Sequence, residues 1–272
     1  MTLANILILF IAAFLGGTLN SIAGGGSFIG FPALIYVNVP PIQANATNTV
    51  ALWPGSVAAA WALRKELASQ NSLLLLVLGT ASLVGGVGGA LLLLHTPQAT
   101  FVLLIPFLML AATILFAFSP TINAQLKKRA ATRYKEKVEG AMPVPASHTS
   151  WTALTRTAAL QIVIAVYGGY FGGGIGILML ASLGVMGMEN IHEMNAVKNL
   201  LATCINGVAV ITFILAGAVV WSDALLMIVG ATIGGFGGAY YARKLDPRLV
   251  RGFVILVGCV MTIYFFVKYG FL

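Results

Sequence analysis

Two short polar runs interrupt an otherwise apolar chain, and they lie at matching places in its two halves. Asn45-Ala46-Thr47-Asn48-Thr49 has its counterpart in Asn195-Ala196-Val197-Lys198-Asn199. On a helix beginning near Ala44, Asn45, Asn48 and Thr49 fall on one face at i, i+3 and i+4, as Asn195, Lys198 and Asn199 do in the second run. Amides and a lysine on one face of an apolar helix supply hydrogen-bond donors and one positive charge, which is chemistry for holding a small anion. About twenty residues upstream of each run stand three consecutive glycines, Gly24, Gly25 and Gly26, and then Gly172, Gly173 and Gly174. A helix restarting after such a break presents unpaired N–H groups and the positive end of its dipole, which also favours an anion. Ser27 stands where it can cap the first restart. Each feature also has a structural reading: the glycines as close-packing positions, Asn45 and Asn195 as helix caps, and Lys198 as a side chain snorkelling to a membrane surface.

Glu189, His192 and Glu193 precede the second run and are candidates for taking up and releasing a proton, since burial raises a carboxylate pKa and histidine titrates near neutrality. The two glutamates equally suit the first turn of a helix, where negative charge is favoured. Ser27 with His192 would be the nucleophile and base of an intramembrane enzyme. However, Gly26-Ser27-Phe28-Ile29-Gly30 lacks the small-residue pattern of a nucleophile elbow, so an enzyme is not expected. Cys204 and Cys259 have no neighbours at metal-ligand or redox spacing and read as packing residues. No cofactor and no metal are expected.

The elements that position these residues must be membrane helices. Of the 272 residues 59% are hydrophobic and 8% charged, with a mean hydropathy of +0.97. That composition marks an integral membrane protein embedded in a lipid bilayer. Apolar runs long enough to cross as helices, with Lys198 and Asp223 the charged residues in them, cover 46–63, 72–94, 98–118, 195–216 and 221–242, with a shorter run at 252–267. The stretches 3–38 and 157–188 are each cut by a glycine triplet, which predicts a hairpin or re-entrant pair. The first 63 residues hold no Lys or Arg, so 1–38 is expected to be folded structure and not a signal peptide. No alternating strand pattern suggests a β-barrel.

Gly85-Gly86-Val87-Gly88-Gly89-Ala90 returns as Gly234-Gly235-Phe236-Gly237-Gly238-Ala239, an offset of 149, and the triplets repeat at an offset of 148. The chain therefore reads as an all-α membrane protein of two repeats, 1–120 and 153–272, joined by a basic linker, 121–152. Each repeat holds a glycine-broken segment and about three full transmembrane helices. Between Lys127 and Glu139 lie six basic and two acidic residues, half of the net +8. By the positive-inside rule the 119–152 loop is cytoplasmic, and it reads as a solvated tether with no nucleic-acid partner. Arg64 and Lys65 have no basic counterpart near 216–221, whereas the turn at His95 lacks Lys and Arg and its counterpart carries Arg243, Lys244, Arg248 and Arg251. Placing every cluster in the cytoplasm makes the repeats inverted and both termini periplasmic.

With Gly24-Gly25-Gly26-Ser27-Phe28 and Pro32, then Ala46-Thr47-Asn48, then Gly172-Gly173-Gly174-Ile175-Gly176, on either side of a basic loop, nearly the whole chain resembles the TauE/SafE-type sulfite exporter family. The resemblance implies secondary transport of a small sulfur-containing anion across the bacterial inner membrane. Sulfite and sulfonates such as sulfoacetate are the implied substrates, moved outward with proton coupling. The residues alone also allow other small anions, a passive anion channel and a homodimer. The expected substrate contacts are the two glycine triplets, Ser27, Asn45, Thr47, Asn48, Asn195, Lys198 and Asn199.

Overall fold

The computed structural model describes residues 2–22, 25–138, 151–186, 188, 190–241 and 247–270. Among them the elements are helical: α1 (Leu3–Ile22), α2 (Ser27–Tyr36), α3 (Pro41–Ala62), α4 (Arg64–Ala68), α5 (Ser72–His95), α6 (Gln98–Val138), α7 (Trp151–Tyr170), α8 (Ile175–Val185), α9 (Ile191–Leu215), α10 (Trp221–Tyr241) and α11 (Pro247–Lys268). Local chemistry sets the boundaries. Pro41 opens α3, where its missing N–H costs nothing, and the Asn71 side chain accepts from the N–H groups of Leu73 and Leu74 at 2.9 and 3.3 Å to start α5. Gly217, at φ +65°, ends α9. Large apolar side chains line the outer faces, among them Leu76, Val84, Phe118 and Leu215. With helices such as α5 and α9 long and apolar enough to span a bilayer, this outward apolar face is that of a multi-pass membrane protein.

The two halves exchange helices. First-half α1 packs along second-half α10, and second-half α7 packs along first-half α5. Both pairs run parallel, and both depend on the repeated glycine blocks. A methyl group on Gly234 would run into Phe14 O, and one on Gly85 would lie 2.7 Å from Ile162 O. Backbones this close need small residues, the usual device where lipid removes the hydrophobic drive for helix association. Thr18 Oγ1 donates to Gly234 O at 2.9 Å across the first pair, and Gln161 Nε2 donates to Ser82 Oγ at 2.8 Å across the second. The repeated blocks are thus packing surfaces.

Helices at equivalent places in the two halves meet antiparallel. In α3 and α9, Trp53 Nε1 donates to Thr203 O at 3.2 Å and the Trp53 ring lies against Gly207, while Thr203 Oγ1 donates to Ser56 O at 3.0 Å. In α6 and α11, Phe107 stacks edge-on with Phe266 at 5.3 Å, and further along Thr113 touches Gly258. An aromatic core from both halves fills the centre, with Phe31 packed at 5.8 Å on Phe171 and at 6.2 Å on Phe265.

Three expectations need revision. The third helix begins at Pro41 and not near Ala44, so Asn45 lies in its second turn; Asn195 likewise lies inside α9, whose cap is Asn190. Neither asparagine caps its helix. The broken stretch is uneven, 20 residues in α1 against 10 in α2. The linker is no simple tether over its first part, because α6 continues for 41 residues, about 60 Å and roughly twice the hydrocarbon thickness.

Candidate functional site

In the second half, Tyr167 O near the end of α7 accepts from Phe171 N at 2.9 Å and Gly172 N at 3.2 Å. Gly172 and Gly174 then take left-handed conformations, φ +78° and +74°, which glycine adopts without steric cost. Helix α8 restarts with Ile175 N bonded to Gly172 O and Ile177 N to Gly174 O. Among the described residues the N–H groups of Gly173, Gly174 and Gly176 have no acceptor. The Tyr167 hydroxyl donates to Gly173 O at 2.6 Å, so the carbonyl side of the break is satisfied while the donor side stays open.

Helix α9 lays Lys198 across this open end. A methyl group on Gly176 would sit 3.4 Å from Lys198 Cδ, so the lysine stem lies on the first turn of α8. Lys198 Nζ donates to Asn195 Oδ1 at 3.1 Å, and Asn195 Nδ2 donates to Ile191 O at 2.9 Å. Lys198, Asn195 and Asn199 are half-buried, and the Asn199 side chain makes no hydrogen bond among the described residues. A cation, a positive helix end and unpaired N–H groups meet here, and among the described residues no carboxylate pairs with Lys198. Such an arrangement favours a negative charge.

The first half repeats the plan with neutral chemistry. Asn48, 1% exposed, lies across the first turn of α2 against Gly30 and donates through Nδ2 to Ser27 Oγ at 3.2 Å. Its Oδ1 is buried without a partner. Gly25, at φ +128°, packs 3.3 to 3.4 Å from Val254 and Phe116 by the same methyl measure, and Gly26 packs on Gly16. Gly24 lies outside the described residues.

Both breaks reach the same stretch of α6. Gly173 and Gly174 lie against Ala112 and Leu115, and Gly25 lies against Phe116. No described contact joins Ser27 or Asn48 to Lys198, so the expected contacts divide into two half-sites that share the level of this α6 turn. Two of the expected residues serve as braces between halves. Asn45 Nδ2 donates to Tyr170 O at 3.0 Å, closing the end of α7, and Thr47 Oγ1 accepts from Val220 N at 3.0 Å just before α10.

The two described proton candidates make no contact with Lys198. His192 is exposed, and Glu193 accepts from Asn190 Nδ2 at 3.0 Å in the first turn of α9, so the neighbour of Lys198 is Asn195 and not Glu193. Glu189 lies outside the described residues. Sequence reasoning missed Tyr167. A hydroxyl-bearing aromatic six positions before the middle glycine was the available signal, and at the 148-residue offset the first half has Leu19.

A polar anchor beside a broken, short half-helix, built twice in one membrane chain, can be compared with known proteins on firm terms. The family described as Sulfite exporter TauE/SafE matches residues 9–265. The chain belongs to this family. It is a membrane transporter and not an enzyme. Its relatives are described as probable membrane transporter proteins. One from Sinorhizobium is 27% identical over 94% of this chain and 90% of its own length. One from Haemophilus influenzae is 26% identical over 94% and 92%, and one from Escherichia coli K12 is 26% identical over 94% and 87%. No solved structure matches the chain.

Proposed function

We propose that this transporter carries a small sulfur-containing anion, sulfite or a sulfonate such as sulfoacetate, outward across the bacterial inner membrane. The observation that carries this reading is Lys198 lying over the first turn of α8, where, among the described residues, three N–H groups lack acceptors and no carboxylate pairs with the lysine. An oxyanion of sulfur offers several acceptor oxygens to such a set of donors. The family's description as a sulfite exporter supports the substrate class.

The mechanism we infer is alternating access between inverted repeats, 1–120 and 153–272, joined by the cytoplasmic basic linker 121–152. Two helices that cross a membrane, occupy equivalent places in a duplication and run antiparallel are related by an axis in the membrane plane. The antiparallel contacts of α3 with α9 and of α6 with α11 support this reading. With the basic loops cytoplasmic, both termini are periplasmic. Helices α2 and α8 then start near the midplane and run to opposite faces, which puts Asn48 in the periplasmic half and Lys198 in the cytoplasmic half. An exporter meets its cargo on the side where the lysine stands. Protons accompany the anion, and Glu193 with His192 at the cytoplasmic start of α9 are the exchange groups.

The test is uptake into proteoliposomes with the anion at higher concentration inside. Accumulation driven by an imposed proton gradient is expected, and it rises with the gradient. Movement only down the anion's own electrochemical gradient would make the protein a passive anion channel.

A further inference from the structure

Tyr167 touches the glycine break of the second half twice, and nothing in the transport reading uses its side chain. Its backbone carbonyl accepts from Phe171 N and Gly172 N, which closes α7. Its hydroxyl, half a turn beyond, donates to Gly173 O at 2.6 Å. One residue thus fixes the chain on both sides of Gly172. The carbonyl of Gly173 is the one acceptor inside the break that could turn inward and compete with an anion for the same space. An unbonded carbonyl there would present its negative end beside the open N–H groups and Lys198. Gly173 and Gly174 permit that rotation, because the peptide between them is flanked by two residues without a Cβ, and Gly174 already stands in the left-handed region. The phenol removes the freedom.

The first half has no such tie from its equivalent position, since Leu19 carries no hydroxyl. It also has no lysine to protect, because Asn48 replaces it. The phenol and the cation therefore occur together in one half and are both missing from the other.

We propose that Tyr167 is a positioning residue for anion binding: its hydroxyl pins the Gly173 carbonyl away from the open start of α8, so that the N–H groups of Gly174 and Gly176 stay available beside Lys198. This rests on the transport reading given above. The residue does not contact the anion.

The test pairs Tyr167→Phe with Tyr167→Leu in the full-length protein, read in two ways. In proteoliposome uptake of sulfite, both variants are expected to raise the half-saturating concentration about tenfold, equivalent to about 1.4 kcal/mol, with the saturating rate within about twofold and thermal stability held by Tyr167→Phe. In hydrogen exchange without anion, the amides of 173–177 are expected to exchange faster in both variants than in the wild type, and other segments are not. A purely structural tyrosine would instead lower the saturating rate or the folded yield and leave the half-saturating concentration unchanged, which overturns the proposal. Unchanged exchange at 173–177 overturns it as well. If the wild type itself shows no saturable uptake of sulfite or sulfoacetate, the transport reading has failed, and faster exchange in Tyr167→Phe would still establish the tyrosine as the tie on the break.

Discussion

The two glycine breaks begin from the same three residues and end in different chemistry. In the first half, Asn48 lies buried across the first turn of α2, neutral, bonded to Ser27 and pressed on Gly30. In the second, Lys198 lies half-buried across the first turn of α8, with Asn195 its hydrogen-bond partner among the described residues. The duplication preserved the scaffold, a short helix starting at a break with one side chain of the next helix laid over it. The side chain laid over the break differs, Asn48 in one half and Lys198 in the other, and so does the residue behind it, Leu19 against Tyr167. A symmetric pair of cations would repel and would each need an anion, whereas in the proposed site one cation with one amide needs a single negative charge. On the proposed reading, a repeat protein can keep a shared scaffold and put its chemical directionality into the side chains laid over it.

The largest expected effect is at the backbone of the charged half. Gly173→Val should abolish saturable sulfite uptake while the protein still inserts. Even a methyl group there would lie 2.8 Å from the Phe171 ring and 3.1 Å from Ala112, so either the ring or the backbone that carries the N–H groups must shift, and the larger valine adds to the demand. The matching Gly25→Val in the neutral half faces a left-handed backbone and should cost stability, but it should weaken affinity less than Gly173→Val does. Equal losses in uptake assays of the two variants would erase the difference drawn between the halves.

A smaller effect is expected for the coupling groups. Glu193→Gln should remove most of the acceleration that a proton gradient gives to transport, with exchange of anion for anion at equilibrium changed by less than about threefold. Gradient-driven uptake equal to wild type would move the coupling elsewhere. The smallest effect belongs to the neutral half: Asn48→Ala loses one hydrogen bond to Ser27 along with an already unpaired buried oxygen. It should cost about 1 kcal/mol of stability or less and shift sulfite affinity by less than about threefold, read by thermal denaturation and titration in detergent.

Much of this comparison was legible in the chain. The duplication, the broken stretches and the exchange of Asn48 for Lys198 follow from offsets and composition, because apolar periodicity and glycine clusters leave few alternatives in a bilayer. The helix starts at Pro41 and after Asn190 were harder to place, since a proline at the first helical position and an asparagine cap compete with polar residues a turn later. The roles of Asn45 and Thr47 were not legible at all. Each bonds to backbone more than a hundred residues away, Tyr170 O and Val220 N, and no local pattern announces such a partner. Tyr167 was hidden for the opposite reason, because a tyrosine in an apolar run looks like core until its hydroxyl is seen on Gly173 O.

The central claim is that the charge over α8 sets anion affinity, and Lys198→Asn tests it by giving the second half the residue of the first. Calorimetric titration of purified wild type and Lys198→Asn with sulfite and with sulfoacetate should show affinity falling at least about tenfold for both anions, equivalent to about 1.4 kcal/mol or more. Lys198→Arg should recover only part of the loss, because the guanidinium differs in shape and hydration. Wild-type affinity in Lys198→Asn would contradict the account and reduce the lysine to a packing residue on the first turn of α8.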